Sequence, residues 1–198
     1  MQRYLMFFTA LLLAMPAYSE EFPAPFGLTW KMSEKELRSH GFSDASNTGG
    51  LKIMQSFSAP KAWSKAEKYY AVTYEGELVK AIAVSKSFTD DVYGSEGKEL
   101  YNQMKAILTE KYGTPTNSFE VVGNSLYDEP DEFYQCLDYS GCGNYLSIHE
   151  FNGGTIGIRL EGERRGQGYL QVGYESPYFS AAKADISSAN TESDTEAF

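Results

Sequence analysis

The stretch Tyr145-Leu146-Ser147-Ile148-His149-Glu150-Phe151-Asn152-Gly153-Gly154-Thr155-Ile156-Gly157-Ile158-Arg159-Leu160 carries the reading of the fold. Apolar residues alternate with polar or small ones on either side of Asn152-Gly153-Gly154. That period of two marks half-buried strands joined by a tight turn. Loop length then sets which residues face each other. A two-residue loop places Ile148 opposite Gly157 and Leu146 opposite Arg159, which mixes the faces. A three-residue loop pairs Ile148 with Ile158 and Leu146 with Leu160, with Gly154 in the left-handed position of a bulge. Unmixed faces favour the three-residue loop. Across a second loop over 162–168, Leu170 pairs with Leu160 and Val172 with Ile158. The expected buried face is thus Leu146, Ile148, Ile156, Ile158, Leu160, Leu170, Val172 and Tyr174.

Upstream, strands are expected over 51–58, 68–75 and 78–88, the last two joined at Glu75-Gly76-Glu77. Tyr70, Val72 and Tyr74 alternate onto one expected buried face. Ser33-Glu34-Lys35-Glu36 has the form of a capping box, and Gly41 is a natural stop for the short helix that follows it. A longer helix is expected over 95–112. Leu100, Met104, Ile107 and Leu108 share a face at helical spacing, Gly113 ends the helix and Pro115 bars its continuation. Residues 116–143 read as irregular. Residues 179–198, rich in Ala, Ser, Thr, Asp and Glu, read as a disordered tail with at most a helical turn over 181–186. The order is helix then three strands, twice. The expected fold is α+β, two helix-plus-three-stranded antiparallel sheet units packed as one domain over 20–178, with halves at 26–90 and 95–175.

Residues 1–19 indicate the compartment. Arg3 precedes an apolar run over 4–15 that Pro16 breaks, and Ala17-Tyr18-Ser19 puts small residues at −3 and −1 of a cleavage site. That is the pattern of a secretory signal peptide, and the expected location is periplasmic or secreted. No later stretch is apolar for long enough to span a bilayer, so a soluble protein is expected after cleavage. The chain has 17 Lys and Arg against 27 Asp and Glu, a formal charge of −10. Such a charge repels nucleic acid and anionic lipid. Cys136 and Cys142 flank a short segment, and Gly141 and Gly143 permit tight curvature, so a structural disulfide is expected in an oxidising compartment. Their spacing is not the C-x-x-C of redox exchange.

Phe26-Gly27-Leu28-Thr29-Trp30-Lys31-Met32-Ser33 resembles the opening of small exported bacterial domains of the FGLxWGMS type. Lys111-Tyr112-Gly113-Thr114-Pro115 resembles the KYGxP helix end of the same domains. Lys31 stands where that pattern carries Gly. The order of helix and sheet also resembles the tandem units of beta-lactamase inhibitory proteins, at the level of topology, which does not carry function.

Of the two histidines, His40 falls at the end of the first helix, where the macrodipole favours a cation. The expected register puts His149 on the outer face beside Gly157 and Gly173, whose missing side chains leave a trough. Tyr145, Ser147, His149, Arg159, Tyr169 and Gln171 form the candidate binding surface around it. The plain alternative is a solvated face on which His149 packs over glycine. Arg164 and Arg165, in a Gly-rich loop, are a candidate anion contact. No G-x-S-x-G elbow, H-E-x-x-H or paired Cys/His spacing occurs, so no catalytic set, metal or cofactor is expected. The acidic run over 128–132 lacks the ordered Asp positions of a calcium loop. The function expected is a soluble exported binding or interaction protein, an inhibitor or an envelope-assembly accessory. Its partner would be another exported or envelope protein. The alternative is a cell-envelope hydrolase using His149 with Glu150 or Glu161; a third reading is a purely structural role.

Overall fold

The computed structural model describes residues 21–124 and 126–196, and the expected signal peptide lies outside them. The chain forms α1 (Glu34–Ser39), β1 (Ser43–Thr48), β2 (Leu51–Ser56), β3 (Ala66–Tyr74) and β4 (Glu77–Ser85). It continues through α2 (Ser95–Tyr112), β5 (Asn117–Val121), a 3-10 turn (Pro130–Glu132), α3 (Phe133–Asp138), β6 (Asn144–Phe151), β7 (Gly154–Arg164), β8 (Gln167–Glu175) and α4 (Pro177–Glu196). The class is α+β, as expected. The three-stranded units are not present: all eight strands make one antiparallel sheet in the order β1-β2-β3-β4-β8-β7-β6-β5. Pairing of β4 with β8, from Lys80 opposite Glu175 to Val84 opposite Gln171, joins the two meanders. The strands missing from the sequence reading, β1 and β5, are the two sheet edges and are exposed along their whole length. A strand with no buried face has no reason to alternate.

The β6–β7 turn overturns the expected register. Asn152 (φ 47) and Gly153 (φ 78) both adopt left-handed backbone, which builds a two-residue hairpin turn with Phe151 opposite Gly154. The twist of such a turn matches that of the strands, so it sets the register whatever the side chains prefer. Ile148 therefore opposes Gly157, and Leu146 opposes Arg159. A slip of one residue exchanges the faces. Ser147 and His149 are fully buried on the inner face beside Ile156, Ile158 and Leu160, while Leu146 and Ile148 look outward. The β7–β8 pairing is the one expected, with Leu160 opposite Leu170 and Ile158 opposite Val172.

Helices α1, α2 and α3 bring their buried residues to the inner face. The capping box of α1 is formed: the Glu36 amide donates to the Ser33 hydroxyl, and the Ser33 amide to the Glu36 carboxylate. Helix α2 has the expected bounds but a rotated buried face, Gly97, Tyr101, Leu108 and Tyr112, with Ile107 54% exposed. Its N-terminus is held by the buried Asp91, whose carboxylate accepts from the amides of Ser95, Glu96 and Gly97 and from the Tyr134 hydroxyl. Three otherwise orphaned amides are satisfied by one side chain. On β3 the central core takes Tyr69 and Ala71, not Tyr70, Val72 and Tyr74. Val72 and Val79 pack instead against Phe179, with Leu51, Ile53 and Tyr74 around them. Residues 177–196, expected in part as a disordered tail, form α4. The Lys80 and Lys183 ammonium groups lie 5.0 and 4.6 Å from the centre of the Phe179 ring. Cys136 and Cys142 form the expected disulfide and tie the end of α3 to the approach of β6, with a Cα–Cα distance of 5.1 Å. Lys31 has φ 63, so a residue with a Cβ takes the left-handed position where the resembled pattern has glycine. Among the described residues, no helix is long and apolar enough to cross a membrane.

Candidate functional site

Helix α4 covers part of the outer face over the β2–β4 half and leaves a groove over β6–β8. At its floor Gly157 opposes Gly173, and Ile82 opposes Gly173 from the other side. A Cβ built on Gly157 would meet nothing within 4 Å, and one on Gly173 only the Ile82 side chain at 3.9 Å. The result is a trough of about 230 Å³ whose walls include Leu146, Ile148, Thr155 and Gln171. One ion pair and one member of a second border it. Lys80 and Glu175 meet at 2.7 Å across β4 and β8, and Arg159 and Glu161 approach to 3.2 Å along β7. The second pair lacks hydrogen-bond alignment, and the Arg159 Nε–H is left without an acceptor. A second groove of about 420 Å³ shares Gln171 with the first and runs towards Tyr70 and Tyr169.

Charge on this face is tuned by partial burial. Burial pushes the Glu161 carboxyl above its ordinary value; Arg159 pulls it down and Asp138 adds to the rise. Burial also raises the Tyr169 phenol, assisted by Glu161 and Glu163, so it stays a hydrogen-bond donor. Apolar Leu146 and Ile148 share this face with the Arg159 guanidinium, whose Nε–H has no acceptor, and with the Tyr169 hydroxyl.

The six candidate residues are split by the sheet. Arg159, Tyr169 and Gln171 lie on the outer face; Tyr145, Ser147 and His149 lie on the inner one. Tyr145 packs edge-on against Tyr101 and Phe133 at 4.8 and 5.6 Å. Ser147 sits 2.5 Å from the Tyr101 hydroxyl and 3.0 Å from the Ser118 hydroxyl. That network continues to Glu120, which accepts from Tyr101 at 3.1 Å, from Ser118 at 3.1 Å and from Lys105 at 2.5 Å. Burial pushes Tyr101 up to about 12. Burial raises the Glu120 carboxyl, but the hydrogen bond and charge of Lys105 outweigh it and leave it lowered.

His149 places Nδ1 3.0 Å from the Gly113 carbonyl at the end of α2, and its buried Nε2 has no partner. Burial lowers its pKa; the Gly113 bond opposes that and Lys105 reinforces it. The neutral ring therefore donates from Nδ1. Glu150 and Glu161 belong to the opposite face, so the His149–carboxylate pair of the hydrolase reading is not formed. Arg164 donates to Gln167 at 2.7 Å and Arg165 is paired with Asp131, so both candidate anion contacts have partners within the chain.

The sequence reading located the glycine floor and Arg159, Tyr169 and Gln171. It missed Lys80 and Glu175, because nothing local announces that β4 and β8 are neighbours. It also missed Leu146 and Ile148 as walls, although the Asn152-Gly153 pair was a sufficient signal for the two-residue turn. No family model, curated protein or solved structure matches the chain. Among the described residues, no group of three or more His, Cys, Asp or Glu side chains could hold a metal ion.

Proposed function

We propose that the protein is an exported binding protein that receives another exported or envelope protein on the outer face of its sheet. The observation that carries this reading is the Gly157–Gly173 trough, open at its floor and bordered by Arg159, Lys80 and Glu175, with Glu161 paired to Arg159. Glycine pairs in central strands cost conformational stability, and an exposed trough returns none of it unless something enters. The disulfide and the signal-like residues 1–19 support export to an oxidising compartment. A partner side chain resting on the floor would bring an acceptor within reach of the unsatisfied Arg159 Nε–H.

The purified protein, immobilised, captures a specific partner from the exported fraction of its source cells. Gly157→Trp fills the trough from an open position and removes capture, while thermal unfolding is unchanged. Arg159→Ala weakens capture. Undiminished capture by a folded Gly157→Trp variant sinks the assignment of this face.

A further inference from the structure

The sheet ends differently at its two edges. Strand β1 reads Ser43-Asp44-Ala45-Ser46-Asn47-Thr48, has no large apolar side chain and carries a register shift between Asp44 and Ser46. Polar composition and a bulge are the usual means of blunting an edge. Strand β5 carries polar residues as well, but it has no bulge and it adds large apolar side chains. It pairs regularly with β6, from Asn117 opposite Ile148 to Val121 opposite Asn144. Phe119 and Val121 are each 50% exposed, and Val122 follows with 40%. Among the described residues, no strand pairs with its free side. A regular edge bearing large apolar side chains is a template for another strand.

We propose that β5 is a homodimer interface, in which it pairs antiparallel with β5 of a second copy about a two-fold axis through Phe119. The register follows from face and charge. Residues directly opposed in an antiparallel pair share a face, so the two outer faces are continuous only when outward residues oppose outward ones. An axis through Glu120 would set two carboxylates against each other, which is repulsive. An axis through Ser118 would leave Val121 facing Pro115. With Phe119 on the axis, it opposes its own copy, Asn117 opposes Val121, and each Ser118 hydroxyl faces the other copy's Glu120 carboxylate. Within the chain those two groups already form a hydrogen bond of 3.1 Å. Lys105 neutralises Glu120 at 2.5 Å, so two chains of charge −10 meet along a strip without net charge. The strand is complementary to itself, which is the requirement of an isologous interface. This interface is independent of the partner proposed for the trough.

Sedimentation equilibrium of the purified exported protein, from nanomolar to millimolar concentration, shows a monomer–dimer equilibrium. Val121→Lys, at an exposed position, weakens the dimer by at least about tenfold, and Ala45→Lys on β1 leaves it unchanged. Register is read by crosslinking. Cα atoms facing each other across the axis are about 4.5–5.5 Å apart, within disulfide range. Phe119→Cys therefore forms a covalent dimer without reductant, and Asn117→Cys does not. Circular dichroism confirms that each variant is folded. A monomer at every concentration, a dimer indifferent to Val121→Lys, a crosslink at 117 in place of 119, or an edge filled by a segment of a different protein each overturns the proposal.

Discussion

Gly157 and Gly162 belong to one strand and face opposite sides of the sheet. A Cβ on Gly162 would lie 1.8 Å from the Tyr134 carbonyl oxygen and 2.8 Å from the Asp138 amide, whereas one on Gly157 would meet nothing within 4 Å. On the inner face glycine is demanded by packing, because α3 lies directly against the β7 backbone. On the outer face no part of the described chain demands it. The same residue type is thus a packing requirement on one side and an unexplained opening on the other. That difference ties the inner-face glycine to packing and is the basis on which recognition is proposed for the outer face.

The contrast is sharpest at Gly162. Gly162→Ala forces α3 away from the sheet and costs about 3–4 kcal/mol or abolishes folding, read from denaturant midpoints. Asp91→Ala comes next. It strips three α2 amides and the Tyr134 hydroxyl of their acceptor and costs about 2–3 kcal/mol, because buried donors are left unpaired. A loss below about 0.5 kcal/mol would show that water replaces the carboxylate and that this corner of the inner face is not closed.

His149 gives the contrast a pH dependence. Its folded pKa is below the ordinary value, so above about 6.5 both folded and unfolded chains hold it neutral and its contribution is fully present. As the pH falls from there towards the folded pKa, the unfolded chain takes up a proton that the folded chain resists, and stability is lost. The slope from this group is at most about 1.4 kcal/mol per pH unit. His149→Asn, which keeps a donor towards the Gly113 carbonyl, flattens that part of the profile between pH 7 and 5. An unaltered slope would show that His149 takes up its proton in place. The smallest effect belongs to the outer face. Gly157→Ala changes stability by no more than about 0.5 kcal/mol, towards the more stable side, since a strand interior favours Ala over Gly. A large loss there would mean that the trough is occupied by the chain itself.

Legibility followed the range of the interactions. The bounds of α2 were readable because Gly113 and Pro115 act within one turn. The β7–β8 register was readable because both strands are central and alternate cleanly. The inward face of α2 was harder: of Leu100, Met104, Ile107 and Leu108 only Leu108 is fully buried, and Tyr101 and Tyr112 take the other large core positions. Tyrosine counts as polar in a pattern and as large and apolar in a core, provided its hydroxyl is satisfied. Helix α4 escaped because its composition is that of a solvated tail; only Phe179 and Ala182 among its described residues are buried.

By itself the sequence determined the class, helices α1 and α2, the disulfide and the glycine floor. The local Asn152-Gly153 turn decided which way β6 faces, and the tertiary structure alone decided what the trough contains. Ser147 is tolerated inside because Tyr101 from α2 supplies its partner, and His149 because the Gly113 carbonyl at the end of α2 takes its Nδ1 while the ring stays neutral with Nε2 unpaired. Lys80 and Glu175 reach the trough because β4 pairs with β8. An unsatisfied polar group is costly in the interior and a satisfied one is not. The groups that satisfy them come from parts of the chain that only the fold brings together.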